Sequence, residues 1–153
     1  CTSDEKLDKS KYEDFIEEVS YIWFNRLVAL RFMDVNDITE TKVISPLDGH
    51  TIPAIFTEAK SGNISEDLNI DRTQFFNILD KKVESKDGDN ECYKMLFISI
   101  CNYYSSIMPF MFESISDYTE LLLPDDLLSA NAIRKKGING RSEEDCSDID
   151  VIG

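Results

Sequence analysis

The chain is predicted to be a mainly α, single helical domain, and three observations carry that prediction. Apolar residues recur at spacings of three and four along 11–36 and again along 92–108. Gly and Pro fall outside such segments, at positions that start or stop them. The 153 residues are enough for one compact core, and 42% hydrophobic with 30% charged residues is an ordinary globular balance.

Residues 1–10 are polar and are expected to form a flexible lead-in to a single domain over 11–153. From Lys11, Phe15, Val19, Ile22, Arg26, Leu30 and Met33 share a helical face, and Tyr21, Phe24, Val28 and Phe32 form a second apolar stripe. A helix apolar on both stripes should be buried on several sides and form the centre of the fold. VISPLDG, residues 43–49, reads as an extended piece entering a turn, and a small β-hairpin is expected near 42–52. Pro53 can open a short helix to Lys60, with Gly62 at its stop. Asp71 has the position of an N-cap for a helix over 72–82. ESKDGDNE, residues 84–91, reads as a loop, after which 92–108 form the second strong helix, ended by Pro109. Short pieces are expected to follow, over 117–123, over 127–136 with Gly137 as stop, and from a Ser142 cap into Cys146.

Composition excludes several classes of function. No apolar run approaches the roughly 18 residues of a membrane-spanning helix, no basic and apolar leader marks the chain for export, and a cytoplasmic location with no membrane partner is expected. Cys1, Cys92, Cys101 and Cys146 contain no CxxC pair, so neither a zinc site nor a disulfide framework is indicated. Because the sequence starts at Cys1 without a methionine, it is expected to be an excerpt of a longer protein. The net charge of −14 opposes a phosphate backbone bearing a charge about every 1.7 Å of duplex. Arg134, Lys135, Lys136 and Arg141 make a basic cluster that could touch DNA, with solvated surface as the competing reading.

Motifs for chemistry are missing. Acidic runs starting at Asp34, Asp67 and Asp87 each fail the calcium-loop pattern: position 6 is Arg72 in the second and Cys92 in the third, and position 12 is Ser45, Ile78 and Ile98 respectively. His50 is the sole histidine, and the glycines at 49, 62, 88, 137, 140 and 153 are too scattered for a phosphate loop. No catalytic, cofactor-binding or metal-ligating residue is assigned.

Four stretches, in order, carry a resemblance: YIWFNRLVALRFMDVN (21–36), VISPLDG (43–49), DYTELLLPDDLLS (117–129) and EEDCSDIDVIG (143–153). Together they resemble the N-terminal helical region of PglX-type adenine-specific DNA methyltransferases, the modification enzymes of BREX phage-defence systems, which are similar to type II restriction-modification methyltransferases. The resemblance implies a large cytoplasmic parent enzyme that uses S-adenosylmethionine to methylate adenine N6 in DNA. It also implies an Asn-Pro-Pro-Tyr type motif and a glycine-containing strand-turn-helix for the cofactor. Neither is present: the four prolines follow Ser45, Ile52, Met108 and Leu123. The expected role is therefore a non-catalytic scaffold or interaction domain, with no cofactor of its own. Its partners would be the parent's own C-terminal methyltransferase domain, DNA through that parent, and other defence-system proteins. The alternatives are a DNA-contacting helper domain and a stand-alone acidic protein-binding module. Within the signature stretch, Trp23, Asn25, Arg26 and Arg31 are the expected structural residues. Trp23 should fill the interior, Asn25 should bond a neighbouring backbone, and each arginine should emerge at a core edge and pair with an acid, because a lone buried charge is costly.

Overall fold

The computed structural model describes residues 3–112, 123, 124 and 126–128. Four helices occur among them: α1 (Ser3–Val35), α2 (Ala54–Lys60), α3 (Arg72–Leu79) and α4 (Gly88–Ile107). The mainly α fold class follows the helical periodicity. The helix α1 begins eight residues ahead of the Lys11 at which the apolar pattern starts, in a segment whose polarity gives that pattern nothing to register.

One face of α1 is buried: Val19, Trp23, Arg26, Leu30 and Met33 lie within an arc of about 80° when successive residues turn by about 100°. That face meets α4, where the Trp23 and Phe97 rings are 5.8 Å apart. The helix α2 reaches α4 through Phe56 and Tyr93, 6.0 Å between rings, and α3 reaches it through the Cys92 thiol, which donates to the Phe75 carbonyl at 3.4 Å. The element shared by all three is thus α4, with Cys92, Tyr93, Leu96, Phe97, Ile100 and Cys101 buried along it. This corrects the expectation that the first helix is the centre. The longest apolar segment is not the most enclosed one, because enclosure depends on which faces have neighbours.

Helix ends explain the other boundary differences. Asp87 caps α4 by accepting from Asn90 N at 3.2 Å, which draws Gly88 to Glu91 out of the expected loop and into the helix. Gly88 also lets α3 approach closely, since a Cβ there would stand 3.3 Å from the Ile78 carbonyl oxygen. Asp71 caps α3 as expected, accepting from Gln74 N at 2.9 Å. Three helices close with the same paired bonds, in which an amide just past the end reaches a carbonyl five residues back: Ile38 to Met33 (2.9 Å), Asn63 to Glu58 (3.0 Å) and Lys82 to Asn77 (2.8 Å). The residue in the left-handed conformation is Gly62 in α2, but Asp37 (φ 50°) in α1 and Lys81 (φ 58°) in α3.

The expected hairpin reduces to one antiparallel bridge, Pro46 to Pro53. Both bridging residues are prolines and have no amide to donate, so a ladder cannot extend through them. The turn between them is as anticipated: His50 N donates to the Leu47 carbonyl at 2.9 Å, and Gly49 takes a φ of 78°. The pieces expected over 117–123, 127–136 and from Ser142 lie largely outside the described residues. Of the described positions there, Leu123 and Leu127 are buried in the common core. The Asn90 Oδ1 accepts from Leu127 N and Leu128 N, both at 2.9 Å, and the Lys94 ammonium donates to the Leu123 carbonyl at 3.3 Å. No described helix is long and apolar enough to cross a membrane.

Candidate functional site on the outer face of the first helix

Opposite its buried side, α1 carries Tyr21, Phe24, Val28, Phe32 and Val35 at spacings of three, four, four and three. These residues form one stripe about 21 Å long at 1.5 Å per residue. All five are exposed: Tyr21 66%, Phe24 63%, Val28 40%, Phe32 45% and Val35 42%. The helical pattern leads one to expect this stripe to be buried; among the described residues nothing covers it. Single exposed apolar residues are ordinary, but a contiguous row of three aromatic and two branched side chains on a rigid helix is the form of a protein-contact surface.

The inner side is fastened so that the outer side is held rigid. Asp34, in the last turn of α1, is fully buried and accepts from the amides of Val43, Ile44 and Ser45 at 2.8 Å each, with Thr39 Oγ1 donating at 3.3 Å. Arg31 Nη1 donates to Ser45 Oγ at 2.5 Å, and Tyr93 Oη donates to the Val43 carbonyl at 2.9 Å. The 43–45 segment is therefore clasped between α1 and α4. The stretches 21–36 and 43–49, separate in sequence, form one structural unit. Sequence reasoning rejected Asp34 as a calcium ligand and did not anticipate this clasp. The available signal was its place: an acid in the last turn opposes the helix dipole and needs a specific donor set to be tolerated.

The four signature residues fall in different environments. Trp23 is buried in the core as expected. Arg26 is buried rather than at a core edge, at 1% exposure, with its guanidinium 4.8 Å above the Trp23 ring. Its charge acts on the Cys101 thiol, which burial pushes up to about 12 against that opposing pull. Arg31 is half-buried and meets a serine hydroxyl in place of the expected acid. The acid three residues on, Asp34, is committed to backbone amides. Asn25 is half-buried on the flank of α1, and among the described residues its side chain makes no backbone hydrogen bond of the kind expected. Arg134, Lys135, Lys136 and Arg141 lie outside the described residues.

Cys92 has its thiol raised to about 11, first by burial and then by the charges of Asp89 and Glu91. Both helix α4 thiols thus stay protonated well above their ordinary value of 9.0, and thiolate is the reactive form. Iodoacetamide at pH 8.5 is expected to leave the Cys92 and Cys101 peptides unmodified in the native protein and to alkylate both in urea, as read by mass spectrometry. Equal labelling in the two states would contradict their burial.

No protein-family model matches the chain. The chain is 29% identical over 142 residues to the adenine-specific methyltransferase BrxX of Escherichia coli O9:H4 (strain HS), covering 93% of this chain. It is 32% identical over 144 residues to the adenine-specific methyltransferase PglX of Lacticaseibacillus casei (strain Zhang), covering 92% of this chain. The chain is a relative of PglX- and BrxX-type methyltransferases. It spans about 12% of the length of the curated relatives it matches.

Proposed function

We propose that this chain is the N-terminal helical interaction domain of a larger DNA adenine-N6 methyltransferase acting in BREX or restriction-modification phage defence. The outer face of α1 then seats against the remainder of that polypeptide, its methyltransferase domain. The observation that carries the reading is the conjunction of an exposed, rigidly backed apolar stripe with relatives about eight times as long as this chain, at 12% coverage. In a protein of that size an uncovered apolar row has an obvious neighbour in the same molecule, and intramolecular attachment raises its effective concentration.

The domain itself takes no part in the chemistry under this reading. S-adenosylmethionine is implied for the parent enzyme and, under this reading, is bound outside these 153 residues. A net charge of −14 likewise opposes duplex binding by this part alone. The parent's cytoplasmic location and its further defence-system partners follow the same reading.

Co-expression tests it. The 153 residues and the rest of the parent polypeptide, supplied as two separate chains, are expected to co-purify and to restore adenine methylation, whereas the 153 residues alone show no S-adenosylmethionine binding by calorimetry. Two chains that never associate, or tight cofactor binding by the small one, would contradict the proposal. The DNA-contact alternative has its own arm. Alanine at Arg134, Lys135 and Lys136 of the parent should leave the affinity for DNA and its salt slope unchanged, and a slope reduced by about one per lost phosphate contact would favour that alternative.

A further inference from the structure

A second feature lies away from the α1 stripe. A cleft of about 730 Å³ opens between the 38–43 connection, α2, the 63–68 loop and α4. Its floor is apolar, with Val43, Ala59, Ile64, Leu96 and Ile100 all buried. Its rim carries Glu40, Glu58, Glu66 and Asp67, and among the described residues no lysine, arginine or histidine lines it. None of these four carboxylates lies within ion-pair distance of a cation among the described residues; Glu58 accepts only from Thr41 Oγ1, at 2.9 Å. Tyr103 and Tyr104, packed edge to face at 5.3 Å, add two aromatic rings to the wall.

We propose that this cleft is a binding site for a short basic peptide segment carrying arginine or lysine beside aliphatic residues. The lining selects that chemistry. A long cationic side chain can lay its methylene stem on an apolar floor while its head stays at a charged rim, and a guanidinium also gains from aromatic faces. Phosphates, carboxylates and free amino acids would set their own negative charge against four others. A divalent metal is disfavoured because its oxygen ligands must converge to about 2.5 Å, and no three His, Cys, Asp or Glu side chains among the described residues cluster closely enough to hold one. The carboxylates come from three separated segments, at 40, 58 and 66–67, so their charge is spread along the cleft. An extended chain bearing more than one cation matches that spread better than a single small amine. The volume lies in the range of specific ligand sites, about 300–1,000 Å³.

The probe is a fluorescein-labelled, acetylated hexapeptide alternating leucine and arginine, titrated into the full chain by anisotropy. The peptide with citrulline for arginine keeps the shape and loses the charge, and is expected to bind at least about tenfold more weakly. Replacing Glu58 and Glu66 together with glutamine should weaken binding of the arginine peptide roughly threefold to twentyfold, at about 0.3 to 0.9 kcal/mol per carboxylate. Glu13→Gln with Glu17→Gln, on exposed helix surface, removes the same formal charge and should change it by less than about twofold. Ser65→Trp, which fills the cleft from an exposed loop position, should abolish binding while leaving the melting temperature in place. The proposal is overturned if the arginine peptide does not bind, if citrulline serves equally well, if the two glutamate pairs weaken binding equally, or if free spermidine binds as tightly as the peptide.

Discussion

Asp34→Ala is expected to lower the unfolding free energy by at least about 3 kcal/mol, because three buried amides lose their acceptor at once and each orphaned donor costs about 1–3 kcal/mol. Against a total stability of about 5–15 kcal/mol for a domain, that is enough to leave a measurable unfolded fraction. A thermal melt followed by circular dichroism should show a fall of about 10 °C, at roughly 3 °C per kcal/mol for a chain of this size. Asparagine should recover little of it. Asp34 Oδ1 serves Val43 and Oδ2 serves both Ile44 and Ser45, so an amide NH2 on either side would face an N–H. A variant melting within 2 °C of the parent would mean that the clasp between α1 and the 43–45 segment does not hold the domain together.

The second large effect concerns association rather than stability. Phe24→Asp together with Phe32→Asp should leave the melting temperature of this chain nearly unchanged, since both rings are exposed and make none of its core contacts; surface changes of this kind move stability by about 0.5 kcal/mol. Association with the remainder of the parent polypeptide should weaken about a thousandfold, because two aromatic anchors at an interface are each worth about 2 kcal/mol or more. Titration calorimetry of the two separately made chains reads this directly. The contrast is with Phe97→Ala, buried against Trp23, which should cost about 3–5 kcal/mol of folding stability and act on association only through the fold. If the double aspartate variant associates normally, the stripe is not the contact.

The sequence carried the helices better than it carried their ends and their partners. Periodicity located 11–35 and 92–107 because amphipathic spacing is a local property, and Asp71 and Gly62 were legible as cap and stop because their types suit those positions. The stops at Asp37 and Lys81 were not, since the left-handed conformation is unusual for either residue and is held there by the surrounding bonds. Both apolar stripes of α1 were visible, but periodicity does not say which stripe has a neighbour within the chain. The same limit misplaced Arg26, which spacing put at an edge and the structure buries beside Trp23. The Asp34 clasp joins residues nine to eleven apart across a turn, and the acidic cleft draws on four segments. Both are products of tertiary packing that no local pattern encodes.

The outer face of α1 is proposed above to be covered by the rest of the same polypeptide. The direct measurement places the photo-crosslinking residue p-benzoylphenylalanine at position 24 of the full-length parent enzyme, irradiates it, and maps the products by mass spectrometry. An efficient intramolecular crosslink from position 24 to residues of the methyltransferase domain is expected, lost when the same residue is placed at the exposed position 17. Crosslinks confined to this domain, to another protein or to solvent adducts alone would contradict it.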